Sequence, residues 1–538
     1  MVDEAFDAIV IGAGFSGLYA LHKLRGLRLR TWVIEQADRV GGTWLWNRYP
    51  GARCDLESVE YSYSFSKDIE QEWVWTESMP AQPEIEAYLN FVADRLDLRR
   101  DIQFETRVVS LTFDEPAAMW VVKTDRGDRH RARFIVAATG LLSVPLDPAI
   151  AGMQVFAGKS VFSSRYPREG VEFDGKRVAL IGTGSTGVQA TPVLARQAKH
   201  LYVLQRSAAY TAPSTVRPFE PGEFEALKAD YPAIRTAQRQ ARAGAARTGA
   251  FNVMAQAATR PPLKAASREQ QLRAIDELGV VGALFWCDVM TDMEASEMAR
   301  RLYGDAVARI VRDPETAASL VPTYPFGCKR PIIDDGYYET FNRDNVTLVD
   351  LRKAPIEEIT PSGIRTAQGF FEVDTIFYAT GFDAMTGALT RMDIRGNGGI
   401  LLRDAWTREG PGSYLGLQVA GFPNLFMVIG PGSPGALANV ATSLEFQIDW
   451  IGDCIAHIRE RGLRTVEARS DAQAAWVKHM NSLVEGSVAL HPSCNSWWIG
   501  ANVPGKKRMF MSYAGGMPEY RRRCEEVAAA GYAGFALA

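Results

Sequence analysis

The chain of 538 residues is 47% hydrophobic and 23% charged, a balance that excludes a disordered protein. Its 60 Lys and Arg residues and 63 Asp and Glu residues give a formal net charge of −3, so no basic nucleic-acid-binding surface is expected. The six cysteines have no CxxC spacing, which argues against structural zinc and against a secreted disulfide framework.

A glycine-rich turn follows the first predicted strand. The strand covers residues 6–11, the turn is Gly12-Ala13-Gly14-Phe15-Ser16-Gly17, and a helix and a second strand over residues 31–34 come next. The glycines let backbone amides approach a pyrophosphate, and Glu35 at the end of the second strand can accept hydrogen bonds from a ribose diol. This unit predicts a site for the ADP half of FAD or NAD, formed by Gly12, Gly14, Gly17 and Glu35.

The segment after this unit mixes helix and strand patterns. Residues 83–96 have the spacing of an amphipathic helix, and residues 102–136 alternate as in a small β-meander. Pro145 and Pro148 then mark a linker.

A second glycine motif differs from the first at its informative position. A strand over residues 177–181 leads into Gly182-Thr183-Gly184-Ser185-Thr186-Gly187, and the next strand covers residues 201–204. The position that corresponds to Glu35 is Gln205, followed by Arg206 and Ser207. Because a carboxylate repels a 2′-phosphate and a guanidinium attracts it, this site is predicted to prefer NADPH to NADH.

Composition divides the rest of the chain. Residues 223–320 are rich in Ala, Arg, Gln and Glu at helical spacing, with Asp313 as a helix cap. Strands return from residue 346, and residues 374–381 have the pattern of a strand that runs into a crossover. We predict an α/β fold with two dinucleotide-binding Rossmann-like domains, for FAD and NADP, and a helical insertion within the second domain. The expected boundaries are 1–144 and 385–538 for the FAD domain, 145–222 and 321–384 for the NADP domain, and 223–320 for the insertion.

Two nucleotide sites in one chain indicate a flavoprotein that receives electrons from NADPH. A disulfide reductase would carry a CxxxxC redox pair after the first unit, and Cys54 has no such partner. Dioxygen is therefore the expected electron acceptor.

At this point the sequence resembles the type I Baeyer–Villiger monooxygenases, which include cyclohexanone and phenylacetone monooxygenase. The segment from Gly41 to Asp55 resembles their GGxWxxxRYPGxxxD signature. Further matches are the two glycine motifs, Gly327-Cys328-Lys329-Arg330-Pro331, Ala379-Thr380-Gly381-Phe382, Gly430-Pro431-Gly432-Ser433-Pro434 and residues 495–502. The resemblance covers nearly the whole chain.

The resemblance implies FAD in the first site, NADPH in the second, and oxygenation of a ketone to an ester or lactone through a flavin C4a-peroxide. It implies that Arg330 stabilises the peroxide anion and that Asp55 orients Arg330. The further cofactor-binding residues that it implies are Gly42, Thr43, Trp44, Tyr49, Asp55, Gly182, Gly184, Ser185, Thr186, Gly187, Gln189, Arg206, Ser207, Lys329, Arg330 and Trp497, with Trp46 beside the flavin edge. The implied substrate pocket is Leu141, Leu142, Gly435, Ala436 and Leu437.

One segment departs from the family pattern. The fingerprint FxGxxxHxxxW(P/D) begins here at Phe156, but Phe162 stands at its histidine and Tyr166 at its tryptophan. This departure leaves two alternatives open beside ketone oxygenation: an N- or S-oxygenating flavin monooxygenase, and an uncoupled NADPH oxidase or flavoprotein.

The expected partners are a small hydrophobic ketone and O2, without nucleic acid or membrane. No HExxH motif is present, so no metal is expected. The acidic N-terminus is unlike a signal peptide and the apolar stretches are too short or too glycine-rich to span a bilayer, which predicts a cytoplasmic enzyme. The sequence indicates no oligomeric state.

Overall fold

The computed structural model describes residues 4–247 and 259–538. Its strands are β1 (Glu4–Ile11), β2 (Thr31–Ile34), β3 (Ile102–Gln103), β4 (Val108–Asp114), β5 (Met119–Thr124), β6 (Arg129–Ala137), β7 (Lys159–Phe162), β8 (Arg177–Ile181), β9 (His200–Gln205), β10 (Thr211–Pro213), β11 (Ile332–Asp334), β12 (Val346–Asp350), β13 (Ile356–Thr360), β14 (Gly363–Thr366), β15 (Gly369–Glu372), β16 (Thr375–Tyr378), β17 (Asp393–Arg395), β18 (Leu425–Met427), β19 (Val466–Ala468) and β20 (Phe535–Leu537).

The helices of the same residues are α1 (Phe15–Gly26), α2 (Thr43–Trp46), α3 (Lys67–Glu72), α4 (Gln82–Arg95), α5 (Ser185–Gln197), α6 (Glu223–Ala229), α7 (Tyr231–Gln240), α8 (Arg268–Leu278), α9 (Met293–Ala308), α10 (Pro314–Ser319), α11 (Tyr337–Thr340), α12 (Gly387–Arg391), α13 (Leu402–Glu409), α14 (Val440–Glu460), α15 (Ser470–Ser482) and α16 (Met517–Ala529). Short 3₁₀ turns include Gly435–Leu437 and Trp497–Ile499.

An eight-stranded sheet carries the first glycine motif. Its order is β17-β4-β5-β6-β1-β2-β3, and β18 also pairs with β6. The apolar run of β1 is buried because parallel strands β2 and β6 flank it and helices cover the sheet. Strands β4, β5 and β6 are antiparallel, which confirms the predicted meander. Since β17 and β18 come from the second half of the chain, both halves build this sheet.

A five-stranded parallel sheet carries the second glycine motif. Its order is β12-β9-β8-β16-β7. The predicted strand over residues 177–181 is confirmed as β8, and the strand predicted within residues 374–381 is confirmed as β16. Because β16 is the neighbour of β8, the segment after β16 lies beside the glycine turn.

The helical block over residues 223–320 is divided between two cores, although the composition predicted that it belongs to the second domain. Phe224, Tyr231 and Ile234 pack in the first core, whereas the helices after residue 262 pack in the second. A buried ion pair explains the division, since Arg235 Nε lies 2.7 Å from Glu70 Oε1 of the first domain. Residues 248–258 of the predicted insertion lie outside the described residues.

The helix cap predicted at Asp313, near the end of the helical block, is confirmed. Asp313 caps α10, because its Oδ2 accepts a hydrogen bond of 2.8 Å from the backbone N–H of Thr316. The strands that form the two sheets support the division into FAD and NADP domains, whose boundaries stay a prediction.

No helix in residues 4–247 and 259–538 is long and apolar enough to cross a membrane.

Candidate functional site

The first glycine motif joins β1 to α1 by close backbone contact. Gly12 has a φ of +102°, and a Cβ there would lie 2.7 Å from the carbonyl oxygen of Ala138. A Cβ on Gly17 would lie 1.8 Å from the carbonyl oxygen of Gly12, so both positions require glycine. The N-cap residue Gly14 offers no side-chain acceptor, and the first backbone N–H groups of α1 remain available to an anion.

Glu35 and Gly42 complete the first cradle. Glu35 Oε2 accepts a hydrogen bond of 2.6 Å from Ala13 N, and Oε1 accepts one of 2.8 Å from Ala37 N. Burial raises the pKa of this carboxyl, while the backbone N–H groups act in the opposite direction. A Cβ on Gly42 would lie 2.9 Å from Gly14 Cα. The carboxylate beside the turn, together with the bare backbone, fits the ADP half of a dinucleotide.

The second glycine motif repeats this construction and leaves more space. Gly182 has a φ of +109°, and a Cβ there would lie 2.4 Å from the carbonyl oxygen of Ala379. A Cβ on Gly187 would lie 2.0 Å from the carbonyl oxygen of Gly182. A Cβ on Gly184 would meet no atom within 4 Å, so open space adjoins the start of α5 at Ser185 and Thr186. This start also has no side-chain cap, and it fits a second pyrophosphate.

Arg206 follows β9 beside this second cradle, and Lys329, from the segment before β11, lies close enough to be affected by its charge. Arg206 and Ser207 are exposed, and Thr183 Oγ1 donates a hydrogen bond of 2.8 Å to the carbonyl oxygen of Ser207. Lys329 Nζ lies 4.7 Å from the ring centroid of Tyr324. Burial, aided by the charge of Arg206, lowers the pKa of Lys329 to about 8. Two cations thus lie near each other beside the second cradle, an arrangement that suits a 2′-phosphate.

The loop before Asp55 contacts α5, the helix that begins within the second motif. Tyr49 Oη donates a hydrogen bond of 2.8 Å to Gln189 Oε1, and Gln189 Nε2 donates one of 3.0 Å to the carbonyl oxygen of Arg53. A Cβ on Gly51 would lie 2.4 Å from the backbone oxygen of Gln189. Gln189, expected at a cofactor, therefore also joins the loop to α5.

Arg330 and Asp55 form an ion pair through Arg330 Nη1 and Asp55 Oδ2. Their side chains are 26% and 16% exposed, so the pair is screened only in part by water. Burial lowers the pKa of Arg330, while the neighbouring Cys54 and Tyr49 act in the opposite direction. Burial also raises the pKa of Cys54 to about 12, which keeps it a thiol at neutral pH. The two residues singled out for catalysis are therefore brought together.

The aromatic residues of the two signature segments differ in burial. Trp44 is buried and its Nε1 donates a hydrogen bond of 3.1 Å to Tyr61 Oη, whereas Trp46 is half-buried. Thr43 is exposed at the start of α2. Trp498 is a core residue with 2% exposure, but Trp497 is only partly buried and packs on the second core.

The residues implied for the substrate pocket converge from two segments. Leu141, Leu142 and Leu437 are partly buried against the core that contains Ala436, and this core also contains Met385. Met385 joins the segments, since its N–H donates a hydrogen bond of 3.0 Å to the carbonyl oxygen of Leu141. Its methyl carbon would lie 3.9 Å from a Cβ on Gly435.

Phe162 and Tyr166, the two residues that differ from the family fingerprint, are held by ring contacts and a hydrogen bond. Phe162 stacks on Tyr378 with ring centroids 4.6 Å apart, and the guanidinium carbon of Arg165 lies 4.8 Å from the Phe162 ring centroid. Tyr166 Oη accepts a hydrogen bond of 3.1 Å from Val171 N. An aromatic stack therefore ties β7 to β16 where the family pattern has histidine.

Two long-range contacts near the site were missed at the level of sequence. Cys328 and Cys494 form a disulfide, although the spacing of the cysteines argued against a disulfide framework. Lys506 and Asp383 form an ion pair of 2.8 Å. Both pairs join positions more than a hundred residues apart, and neither leaves a local pattern in the sequence.

Comparison with known proteins gives one family match over part of the chain and relatives that match over its full length. The protein family described as pyridine nucleotide-disulphide oxidoreductase matches residues 9–247. The chain is 41% identical over 541 residues to a Baeyer-Villiger monooxygenase of Pseudooceanicola batsensis, with 99% of this chain and 96% of the relative covered. It is 38% identical over 542 residues to the phenazine N-monooxygenase PhzNO1 of Lysobacter antibioticus, with coverages of 99% and 97%.

Solved structures agree with these matches. The closed crystal structure of cyclohexanone monooxygenase superposes with a TM-score of 0.93 at 39% identity and covers both chains fully. OTEMO in complex with FAD and NADP superposes with a TM-score of 0.91 at 37% identity, also over both full chains. The predicted fold class, with two dinucleotide-binding units, is confirmed by these superpositions.

Proposed function

This chain belongs to the flavin-dependent Baeyer–Villiger monooxygenases, and from that premise we propose that it inserts one oxygen atom of O2 beside the carbonyl of a small hydrophobic ketone. The product is an ester or a lactone. FAD, reduced by NADPH, supplies the electrons that activate O2. We propose that the enzyme works in the cytoplasm, where NADPH is available.

The observation that carries the proposal is the Arg330–Asp55 ion pair. Asp55 ends a segment whose Gly42 lies against Gly14 of the first motif and whose Tyr49 is hydrogen-bonded to Gln189 of α5. Insertion of oxygen beside a carbonyl places negative charge on oxygen at the reacting carbon. The guanidinium stabilises that charge without giving up its own proton, since an arginine stays cationic in proteins. The carboxylate of Asp55 fixes the direction of the guanidinium and keeps it from turning toward solvent.

We assign the first cradle to FAD and the second to NADPH. The uncapped start of α1 and the carboxylate of Glu35 hold the pyrophosphate and the ribose of the flavin nucleotide. The uncapped start of α5 holds the pyrophosphate of NADPH, and Arg206 and Lys329 bind its 2′-phosphate. Trp497, partly buried on the second core, borders the nicotinamide side.

The apolar lining supports a hydrophobic ketone as substrate. Leu141, Leu142, Ala436 and Leu437 present aliphatic surface, which favours an uncharged carbonyl compound over an anion. Such a lining also excludes water, and exclusion of water strengthens the interaction of Arg330 with charge on oxygen.

A second candidate is oxygenation of nitrogen or sulfur. It is favoured by the full-length similarity to a phenazine N-monooxygenase, and the departure of Phe162 and Tyr166 from the fingerprint keeps it open. Heteroatom oxygenation requires an electrophilic, protonated oxygen donor. A fixed guanidinium favours the anionic form instead, which is why ketone oxygenation is the primary proposal.

Product analysis separates the candidates. Purified enzyme with FAD is incubated with NADPH, ¹⁸O2 and a panel of cyclic, linear and aryl ketones, and parallel samples contain a thioether and an N-heterocycle. We expect esters or lactones that carry one ¹⁸O atom. Labelled sulfoxide or N-oxide without any ester would favour the second candidate, and H2O2 equal to the NADPH consumed in every sample would contradict both.

A further inference from the structure

A segment near the C-terminus crosses the site as a strap, which we define as residues 494–509. Apart from the turn Trp497–Ile499, it contains no helix or strand in the described structure. Its first residue, Cys494, is joined by a disulfide to Cys328, which is two positions before Arg330. Both sulfur-bearing residues are buried, so this end of the strap is fixed beside the catalytic arginine.

The other end of the strap is held by a charge pair. Lys506 Nζ lies 2.8 Å from Asp383 Oδ1 and donates a hydrogen bond of 2.9 Å to the carbonyl oxygen of Ala384. The two side chains are 14% and 15% exposed, so water screens them much less than an ordinary surface pair. Asn502 Nδ2 adds a hydrogen bond of 2.9 Å to the carbonyl oxygen of Phe382.

The stem of Lys506 reaches the turn that carries Trp497. Gly500 has a φ of +70°, and a Cβ there would lie 3.2 Å from both Cγ and Cδ of Lys506. The N–H of Gly500 donates a hydrogen bond of 3.2 Å to the carbonyl oxygen of Trp497. Displacement of Lys506 therefore removes the surface on which the turn rests.

Asp383, the ion-pair partner of Lys506, lies in the segment that contacts the second glycine motif. Ala379, earlier in the same segment, places its carbonyl oxygen against Gly182. The N–H of Asp383 donates a hydrogen bond of 2.9 Å to the carbonyl oxygen of Val144, in the segment that also carries Leu141. A continuous set of contacts thus runs from Gly182 through Asp383 and Lys506 to the turn of Trp497.

We propose that Lys506 and Asp383 are positioning residues, whose ion pair holds the Trp497 turn against the NADPH site. This inference rests on the proposed function for the identity of the nucleotide. The solved relatives include cyclohexanone monooxygenase in forms described as closed and as open, with TM-scores to this chain of 0.93 and 0.89.

The strap offers a matched control for the charge of Lys506. The next residue, Lys507, is exposed, and its Nζ donates hydrogen bonds of 3.3 and 3.1 Å to the carbonyl oxygens of Arg408 and Glu409. Lys507→Met removes the same charge from the same strap without touching Asp383. Its NADP⁺ affinity and its exchange rates are expected to equal those of the wild type.

The test compares Lys506→Met, Asp383→Asn and Lys507→Met as FAD-loaded proteins. Two readouts need no turnover: the Kd for NADP⁺ by calorimetry, and hydrogen–deuterium exchange over the strap before NADP⁺ is added. For Lys506→Met and Asp383→Asn we expect Kd to rise by at least about tenfold, as for loss of one partner of a buried charge pair, and the strap amides to exchange faster. The double variant Lys506→Asp with Asp383→Lys should recover part of the affinity.

The proposal would be overturned by wild-type affinity and exchange in both single variants, or by equal losses in Lys507→Met. If one variant does not fold, the other removes the same pair and decides the question. Because neither readout involves a ketone, a failure of ketone oxygenation and a failure of this proposal are distinguishable.

Discussion

The pairing of Arg330 with Asp55 explains why a single guanidinium can serve as a fixed charge. A free arginine side chain samples many rotamers and is well hydrated, whereas this one is held by a carboxylate on a neighbouring loop. Burial lowers its pKa, yet an arginine side chain stays protonated in proteins, so the group is a cation at neutral pH. The family resemblance implied both residues and their pairing, whereas local spacing could not show a contact between residues so far apart in the chain.

Because we propose that Lys329 binds the 2′-phosphate, we expect NADP⁺ binding to depend on pH. Burial and the charge of Arg206 lower its pKa to about 8, so the cation that attracts a phosphate is lost as the pH rises through that value. We expect the Kd for NADP⁺ to rise about tenfold between pH 7 and pH 9, because a single proton is linked to binding. Calorimetry at several pH values measures this change.

Lys329→Arg is the control for that titration. Arginine stays charged over the whole range, so the variant should bind NADP⁺ with little change between neutral and alkaline pH. An equally steep rise of Kd in the variant would assign the titration to another group.

At the level of elements, the glycines of the second motif differ in whether the fold leaves space for a side chain. Gly187 and Gly182 touch backbone atoms, whereas a Cβ on Gly184 would enter open space. The sequence therefore predicted the strand, turn and helix correctly from the motif, but it did not distinguish glycines that close the fold from the glycine that leaves room for a ligand.

A pair of alanine variants tests that distinction. Gly184→Ala should keep the thermal midpoint and weaken NADP⁺ binding, because the new methyl group occupies space beside the helix start. Gly187→Ala should lower the midpoint and weaken binding together, since its Cβ would lie 2.0 Å from the carbonyl oxygen of Gly182. Differential scanning fluorimetry and calorimetry measure the two quantities. A lowered midpoint in Gly184→Ala with normal affinity would contradict the assignment.

At the level of the whole molecule, the sequence predicted the two dinucleotide-binding units, the β-meander and the helical composition of residues 223–320. It did not predict that α6 and α7 pack on the first core, because the buried pair of Arg235 and Glu70 spans 165 positions. Contacts of that span depend on topology and not on local spacing. The same reason explains why the disulfide and the pair of Lys506 and Asp383 were missed.

The disulfide between Cys328 and Cys494 closes a long loop and should stabilise the folded chain. A crosslink across 166 positions removes much of the freedom of the unfolded chain, worth about 2–4 kcal/mol in typical cases. We expect dithiothreitol to lower the thermal midpoint of the wild type and to leave Cys494→Ser, whose midpoint is already lower, unchanged. Equal midpoints for both proteins with and without reductant would contradict a stabilising crosslink.

The most direct measurement is the amount of ester formed per NADPH oxidised by the wild type and by Arg330→Met, with a ketone that the wild type accepts. Anaerobic reduction of the flavin by NADPH is recorded in the same preparations. We expect the variant to reduce its flavin as the wild type does and to form ester about 10²–10³-fold more slowly, with H2O2 as the product of oxygen. A variant that forms ester as efficiently as the wild type would show that the guanidinium is not the group that stabilises charge on oxygen.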